Sequence, residues 1–282
     1  MRFIRYAQDG KAGTALSRGE DFLDLGPVEI GEMLARDPQS LLDLAGQASG
    51  RTLRRDGLRI LPPLARAPKY ICVGLNYIDH AKESPYKEKP QYPSFFPRFA
   101  SSIVGHEEPI VRPKVSSELD YEGELVAVLG RGGRYIPRSN ALDHVFGYSI
   151  FNEASLRDYQ FKSSQWTAGK NFDGTGAFGP VLVTADELPP GAAGLKLETR
   201  LNGKTVQSAS TSDMIFPVAE LVHLASEFMT LEPGDVIVTG TPAGVGFARK
   251  PQLFMKDGDV CEVEIEGIGI LRNPIRNEAS RS

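Results

Sequence analysis

The chain has 282 residues, 41% of them hydrophobic and 24% charged, and a formal net charge of −4. That length supports one or two domains with a sizeable core, and the composition excludes a disordered chain. The slightly acidic balance removes the electrostatic case for a nucleic acid or an anionic membrane as partner. Two cysteines, Cys72 and Cys261, without CxxC spacing, exclude a disulfide scaffold and a thiolate metal site.

No apolar run approaches the roughly 20 residues of a membrane helix. Arg2, Arg5 and Asp9 interrupt the N-terminus where a signal-peptide core would lie. The expected class is a reduced, cytoplasmic enzyme. In chain order, Phe3, Ile4 and Tyr6 followed by Asp9-Gly10 predict a hairpin. Helical spacing follows over 28–36, at Val28, Met33 and Leu34. Asp37-Pro38 reads as an N-cap and a first-turn proline for a second helix, with Leu41, Leu42, Leu44 and Ala45 on its apolar face. The stretch 61–68 carries Pro62, Pro63 and Pro68, lacks three backbone donors and is the expected linker. It divides a small N-terminal α+β domain, 1–65, from a larger, mainly β domain, 66–282.

Beyond the linker, short apolar or alternating segments predict strands near 69–74, 122–129, 145–151, 179–184, 195–201, 235–239 and 260–265. Turn signals separate them, Asn202-Gly203 being the strongest hairpin signal. One helix starts near Pro217, with Leu221, Leu224, Ala225 and Phe228 on one face.

Five segments carry candidate chemistry. In Glu122-Gly123-Glu124 the two carboxylates share one face of a strand, ahead of Val126 and Val128. Like charges at that spacing repel when buried unless a cation or proton intervenes, and Gly123 admits a close approach from the other face. On spacing alone the pair reads first as a solvated strand end, continuing an acidic run through Glu118 and Asp120. In 151–160, helical spacing would pair Glu153 with Arg157 and Arg157 with Gln160, as on an ordinary surface helix. His80 and Glu83, three apart on a helical turn, let a carboxylate orient an imidazole for proton transfer, or are surface neighbours. Lys170, among small and aromatic residues, reaches an anionic substrate or lies along the surface. Thr239-Gly240-Thr241-Pro242-Ala243-Gly244-Val245-Gly246 has the glycines of a phosphate loop, but Pro242 and the glycines after it do not open a helix. A tight turn lining a pocket is expected instead of a dinucleotide site.

Taken in order, CVGLNYIDHAKE, DYEGELVAVLG, GYSIFNEASLRDYQ, WTAGKNFDGTGAFGP and LEPGDVIVTGTPAGVG make the chain, from about Lys69 to Pro274, similar to the fumarylacetoacetate hydrolase family, close to its acylpyruvase and dioxo-acid branch. The resemblance implies an α+β, mainly β fold: a mixed β-roll catalytic domain with a small N-terminal α+β domain, usually a homodimer. It implies Glu122, Glu124 and Glu153 as metal ligands, His80 and Glu83 as a lid dyad that activates water, and Lys170 as a further catalytic group. Arg157, Gln160 and Thr241 would line the substrate. Two positions depart from the family pattern: Glu153 stands where an aspartate is usual, and Arg98 where lysine is frequent. Three carboxylates with waters make a hard, all-oxygen site, which suits Mg²⁺ or Mn²⁺ rather than zinc.

The expected function is divalent-metal-dependent hydrolysis of a C–C bond in a small β-dicarbonyl acid of the acylpyruvate or 2,4-dioxo-acid kind, placed in aromatic catabolism. The alternatives are an isomerase or decarboxylase acting on a 2-oxo acid with the same metal, and a non-catalytic metal- or ligand-binding protein. The polar, mixed-charge segment 77–91 is the expected lid.

Overall fold

A computed structural model describes residues 1–19, 21–83 and 89–279. The N-terminal part runs β1 (Arg2–Gln8), β2 (Lys11–Arg18), β3 (Asp21–Asp24), α1 (Ile30–Arg36), α2 (Pro38–Gln47), β4 (Thr52–Arg54) and β5 (Arg59–Leu61). Asp9 and Gly10 take positive φ, 51° and 77°, and close the β1–β2 hairpin as expected. Asp37 caps α2 through the Gln39 N–H at 3.1 Å. Next come β6 (Tyr70–Gly74), α3 (Ile78–Glu83), β7 (Ser94–Arg98), β8 (Ile103–Val104), β9 (Ile110–Arg112), β10 (Leu119–Asp120) and β11 (Gly123–Leu129). The middle of the chain forms β12 (Val145–Glu153), β13 (Ser155–Leu156), the one-turn helices α4 (Arg157–Gln160) and α5 (Thr167–Lys170), and β14 (Gly176–Thr184). The remainder is β15 (Lys196–Leu201), β16 (Lys204–Ser210), α6 (Val218–Phe228), β17 (Val236–Val238), β18 (Val260–Ile265) and β19 (Gly269–Asn277).

The large sheet has the order β4-β3-β2-β1-β14-β12-β11-β17-β6-β7, with β5 added on β1 and β8 on β14. A second sheet, β16-β15-β18-β19-β9, packs against it, and β10 pairs with β13. This is the α+β, mainly β roll. The N-terminal strands join the large sheet where Arg2 and Phe3 pair with Val183 and Leu182. The expected division at 65/66 falls in the connection from β5 to β6, which sends Leu64 and Ala67 into a core shared with Phe3, Val126 and Phe151.

Strand β11 departs from the alternation of a half-exposed strand, because every one of its residues is buried. Leu125, Ala127 and Leu129 enter a core with Leu197 and Val263 of the second sheet. Val126 and Val128 enter the opposite core with Ile30, Leu34 and Leu41 of α1 and α2. A sheet covered on both faces tolerates apolar residues at every position. In α6 the buried stripe is Val218, Leu221, Val222 and Ala225, while Phe228, expected on that face, is 49% exposed. The helix starts at Val218 and turns that face inward, so a stripe counted from Leu221 through Leu224 and Phe228 lies one step round. Both cysteines are free and buried. No helix among the described residues is long and apolar enough to cross a membrane.

One buried titratable group tests this packing. The turn between β8 and β9 docks on β19, where His106 Nδ1 accepts the Arg272 N–H at 3.1 Å. Burial, with Arg55 and Arg272 nearby and against the pull of Glu107, lowers the His106 pKa from 6.5 to about 4. The folded state therefore holds this ring neutral where the unfolded chain protonates it. Stability should be unaffected by His106 above about pH 6.5 and fall as the pH drops from there to about 4, by at most about 1.4 kcal/mol per pH unit. Urea unfolding at the two ends of that window should show a smaller loss in His106→Asn, whose amide oxygen keeps an acceptor. Equal losses in both proteins would remove His106 as a cause.

Candidate active site

Sheet topology brings the chemistry to one end of the roll. Strands β6 and β17 are parallel, and β11 is antiparallel both to β17 and to β12. The ends of β6, β17 and β12 therefore meet the start of β11. Glu122 and Glu124 sit at that start. Gly123 pairs with Asn152 and Glu124 with Phe151, so the register continues to Glu153 opposite Glu122, and Glu153 N–H donates to Glu122 O at 2.9 Å. Residues opposite each other on antiparallel strands share a face. Oxygens of Glu122, Glu124 and Glu153 consequently lie within 4.8 Å of one another, all buried. Gly123 is required between them, since a Cβ there would lie 2.2 Å from Thr199 Oγ1 of the second sheet.

Five further chain segments close on this cluster. Lys170 pairs with Glu122 and, at 2.9 Å, with Glu153. Arg157 reaches Glu122 at 2.7 Å and Asp120 at 2.9 Å, and donates to Gln160 Oε1 at 2.8 Å. The expected pairing of Glu153 with Arg157 at helical spacing is not formed: Glu153 ends strand β12 and the helix begins only at Arg157. Arg98 lies behind Glu153, with Nε 3.6 Å from Oε1, and donates to Ala154 O at 2.6 Å. Gln207 donates to Thr241 Oγ1 at 2.8 Å and accepts the Gly123 N–H at 3.0 Å, while Thr241 Oγ1 donates to Gly123 O at 3.0 Å.

The turn after β17 binds carboxylates with its backbone. Gly240 N–H donates to Glu124 at 2.6 Å, Gly244 N–H to Glu83 at 3.0 Å, and Gly246 and Phe247 N–H to Asp120 at 2.7 and 2.9 Å. Gly244 sits at φ 105°, and a Cβ there would lie 2.3 Å from Val206 O. It is the pocket-lining turn expected at 239–246. On α3, His80 Nδ1 lies 3.0 Å from Glu83 Oε1. A carboxylate only accepts, so this contact assigns the ring proton to Nδ1 and leaves Nε2 of a neutral ring as the acceptor. Residues 84–88 of the expected lid lie outside the described residues. A cavity of about 40 Å³ joins these groups, lined by His80, Glu83, the three glutamates, Arg157, Gln160, Lys170 and Thr241.

The electrostatics invite a cation. Burial raises the Glu122 carboxyl, but the charges of Arg157 and Lys170 outweigh it and hold the group well below the usual carboxylate range. Glu124 has only the Gly240 N–H on it, and burial with the charges of Glu153 and Glu122 pushes it well above that range. Burial lowers Lys170 and Arg157, yet the facing carboxylates win and keep both firmly protonated. Glu153 Oε1 has no hydrogen-bond partner among the described residues. Counted as ionised, the carboxylates of Glu83, Asp120, Glu122, Glu124 and Glu153 exceed the cations Arg98, Arg157 and Lys170 by two, the charge a divalent ion would balance. An all-oxygen donor set with a strained carboxyl and an unbonded oxygen fits a divalent cation.

Every residue singled out for the site lies on this cavity. Sequence reasoning placed Asp120 in an exposed acidic run, whereas it is 0% exposed and anchors Arg157. Gln207 had no local signal, because β16 reaches the site only through sheet packing.

A β-roll with a buried carboxylate cluster at one end is a scaffold that could hold a metal ion. A family model described as the fumarylacetoacetate hydrolase C-terminal domain matches residues 69–276. The chain is 42% identical, over 98% of its length and 90% of the other's, to a Xenopus laevis protein named a mitochondrial oxaloacetate tautomerase. Among solved structures, a fumarylacetoacetate hydrolase from Exiguobacterium antarcticum matches with a TM-score of 0.86 and 40% identity, over 99% of this chain and 100% of that one. A 5-carboxymethyl-2-hydroxymuconate delta-isomerase from Mycobacterium smegmatis matches with a TM-score of 0.81 and 33% identity, over the same shares. The chain belongs to the fumarylacetoacetate hydrolase family.

Proposed function

We propose that the protein is a divalent-metal-dependent enzyme, using Mg²⁺ or Mn²⁺, that interconverts keto and enol forms of a 2-oxo acid. The observation that carries this reading is the buried triad Glu122, Glu124 and Glu153 with Lys170 paired to two of its members. The tautomerase and isomerase named among its relatives support it. Glu122, Glu124 and Glu153 would hold the divalent cation, which would supply Lewis-acid charge to the head of the substrate. Lys170 and Arg157 place fixed positive charge where negative charge grows as C3 loses its proton. His80, held through Nδ1 by Glu83, offers Nε2 to take the C3 proton and pass it to the 2-oxo oxygen, which completes the enol; the reverse path returns it to C3.

The same His80–Glu83 pair favours a second reading. Directed at a water instead of C3, it would serve the hydrolysis of a C–C bond in a dicarbonyl acid, with the same groups stabilising the leaving enolate. Assays of enol–keto conversion on oxaloacetate and of C–C cleavage on acylpyruvates, with Mg²⁺, with Mn²⁺ and with chelator, separate the two. Activity unchanged by exhaustive chelation would end both.

Glu124→Gln gives a test without turnover. Calorimetric titration should show Mn²⁺ affinity falling by more than the about 10–100-fold that loss of an outer-shell partner costs. The metal-free variant should meanwhile be more stable than the wild type, because a carboxyl repelled by Glu122 and Glu153 has become neutral. Unchanged Mn²⁺ affinity would remove Glu124 from the ligand set.

A further inference from the structure

The cavity has two halves of opposite chemistry. Its floor is the charged cluster. Its mouth is apolar: Phe161, Phe247, Val245, Ala248 and Trp166 line it. Phe161 and Phe247 meet with ring centroids 5.1 Å apart, tilted at 42°; Phe161 is 41% exposed and Phe247 partly buried. A partly exposed aromatic pair on the rim of a small polar cavity offers apolar surface to a ligand.

The pair is rigidly placed. Phe247 donates its backbone N–H to Asp120 at 2.9 Å, and Phe161 follows Gln160, whose Oε1 holds Arg157. Both rings thus stand on the Asp120–Arg157 ion pair. The cavity of about 40 Å³ has room for a cation with a few waters or the reacting head of a substrate, so the rest of a substrate would lie against these rings at the mouth.

Charge points the same way. Counted as ionised, Glu83, Glu122, Glu124 and Glu153 of the lining exceed Arg157 and Lys170 by two charges; a divalent cation balances them, and the carboxylate of one 2-oxo acid head already leaves the site net negative. A second carboxylate, such as that of oxaloacetate, would add an unbalanced charge at a mouth where the cations of the described lining, Arg157 and Lys170, are already paired. Burying an unpaired charge is costly, while burying alkyl or aryl carbon against two phenyl rings is favourable.

We infer that Phe161 and Phe247 are specificity-determining residues that select 2-oxo acids whose substituent is apolar, against those bearing a second, distal carboxylate. The inference rests on the 2-oxo acid reading above. It deepens that reading from the head of the substrate to its tail.

Oxamates, which resemble 2-oxo acids and cannot enolise, test it by binding alone. The Mn²⁺-loaded protein is titrated calorimetrically with oxamate, N-butyloxamate and N-(3-carboxypropyl)oxamate. The butyl probe should bind about tenfold more tightly than oxamate, as expected for burial of a few methylenes, and the carboxylated probe no more tightly than oxamate. In Phe161→Ala/Phe247→Ala the butyl-to-oxamate ratio should fall to within about twofold. The ratio is the readout, so a change that weakens all probes alike does not imitate the effect. Phe161→Arg should turn the preference toward the carboxylated probe. A wild-type preference for the carboxylated probe, or a butyl advantage that survives the double substitution, overturns the inference while leaving the 2-oxo acid reading standing. Failure of every oxamate to bind overturns that reading and the inference with it.

Discussion

His80→Ala should lower turnover by roughly 10²–10⁴-fold, the usual contribution of a positioned general base, and leave Mn²⁺ affinity unchanged. No candidate ligand is touched, and the imidazole reaches the cluster only across the cavity. Glu83→Gln should cost less in turnover, because it removes the group that fixes the ring rather than the ring. Following enol–keto conversion and C–C cleavage separately makes the variant diagnostic. Loss of enol–keto conversion places the base at C3. Loss confined to cleavage assigns His80 to water and moves the protein to the hydrolase reading. If both rates stay within a few-fold of wild type, His80 is not the base.

Asp120→Ala should destabilise the fold by about 3–5 kcal/mol, the cost of breaking a buried ion pair from one side. Asp120 is fully buried and accepts from Arg157 Nε at 2.9 Å and from the backbone of Gly246 and Phe247. Removing it strands the backbone donors of Tyr121, Gly246 and Phe247 and leaves Arg157 with Glu122 and the neutral Gln160. Urea unfolding measures the loss, and Asp120→Ala/Arg157→Met should recover part of it by removing the stranded guanidinium. A loss under about 1 kcal/mol would mean that water reaches the site and screens the pair.

How far the site could be read from the sequence follows from how local each signal is. His80 and Glu83 meet across one helical turn, so their spacing carried the contact. Glu122 and Glu124 share a strand face by the two-residue period, and the hairpin at Asn202-Gly203 is written in two residues. Glu153 is different. It reaches the pair through antiparallel register between strands over twenty residues apart, which no periodicity records, and the ordered motifs of the family resemblance brought it in. Local helical spacing suggested instead a pairing with Arg157 that strand β12 forbids. Asp120 was misread because an acidic run looks solvated until the donors that face it, from residues 246 and 247, are known. Phe228 failed for the same reason in reverse: which side of α6 is covered depends on what packs against it.

The turn after β17 has a consequence for how such a site changes over generations. It holds Glu124, Glu83 and Asp120 with peptide N–H groups, so those contacts survive exchange of the other side chains along the turn, provided Gly240 and Gly244, with positive φ, and Gly246, where a Cβ would lie 1.8 Å from Leu253 O, stay. The side chains of Val245, Phe247 and Ala248, carried by the same stretch, face the mouth of the cavity. One short segment thus separates an invariant role, written in the main chain, from a replaceable one, written in the side chains. A lineage can exchange substrate tails there without disturbing the reacting head.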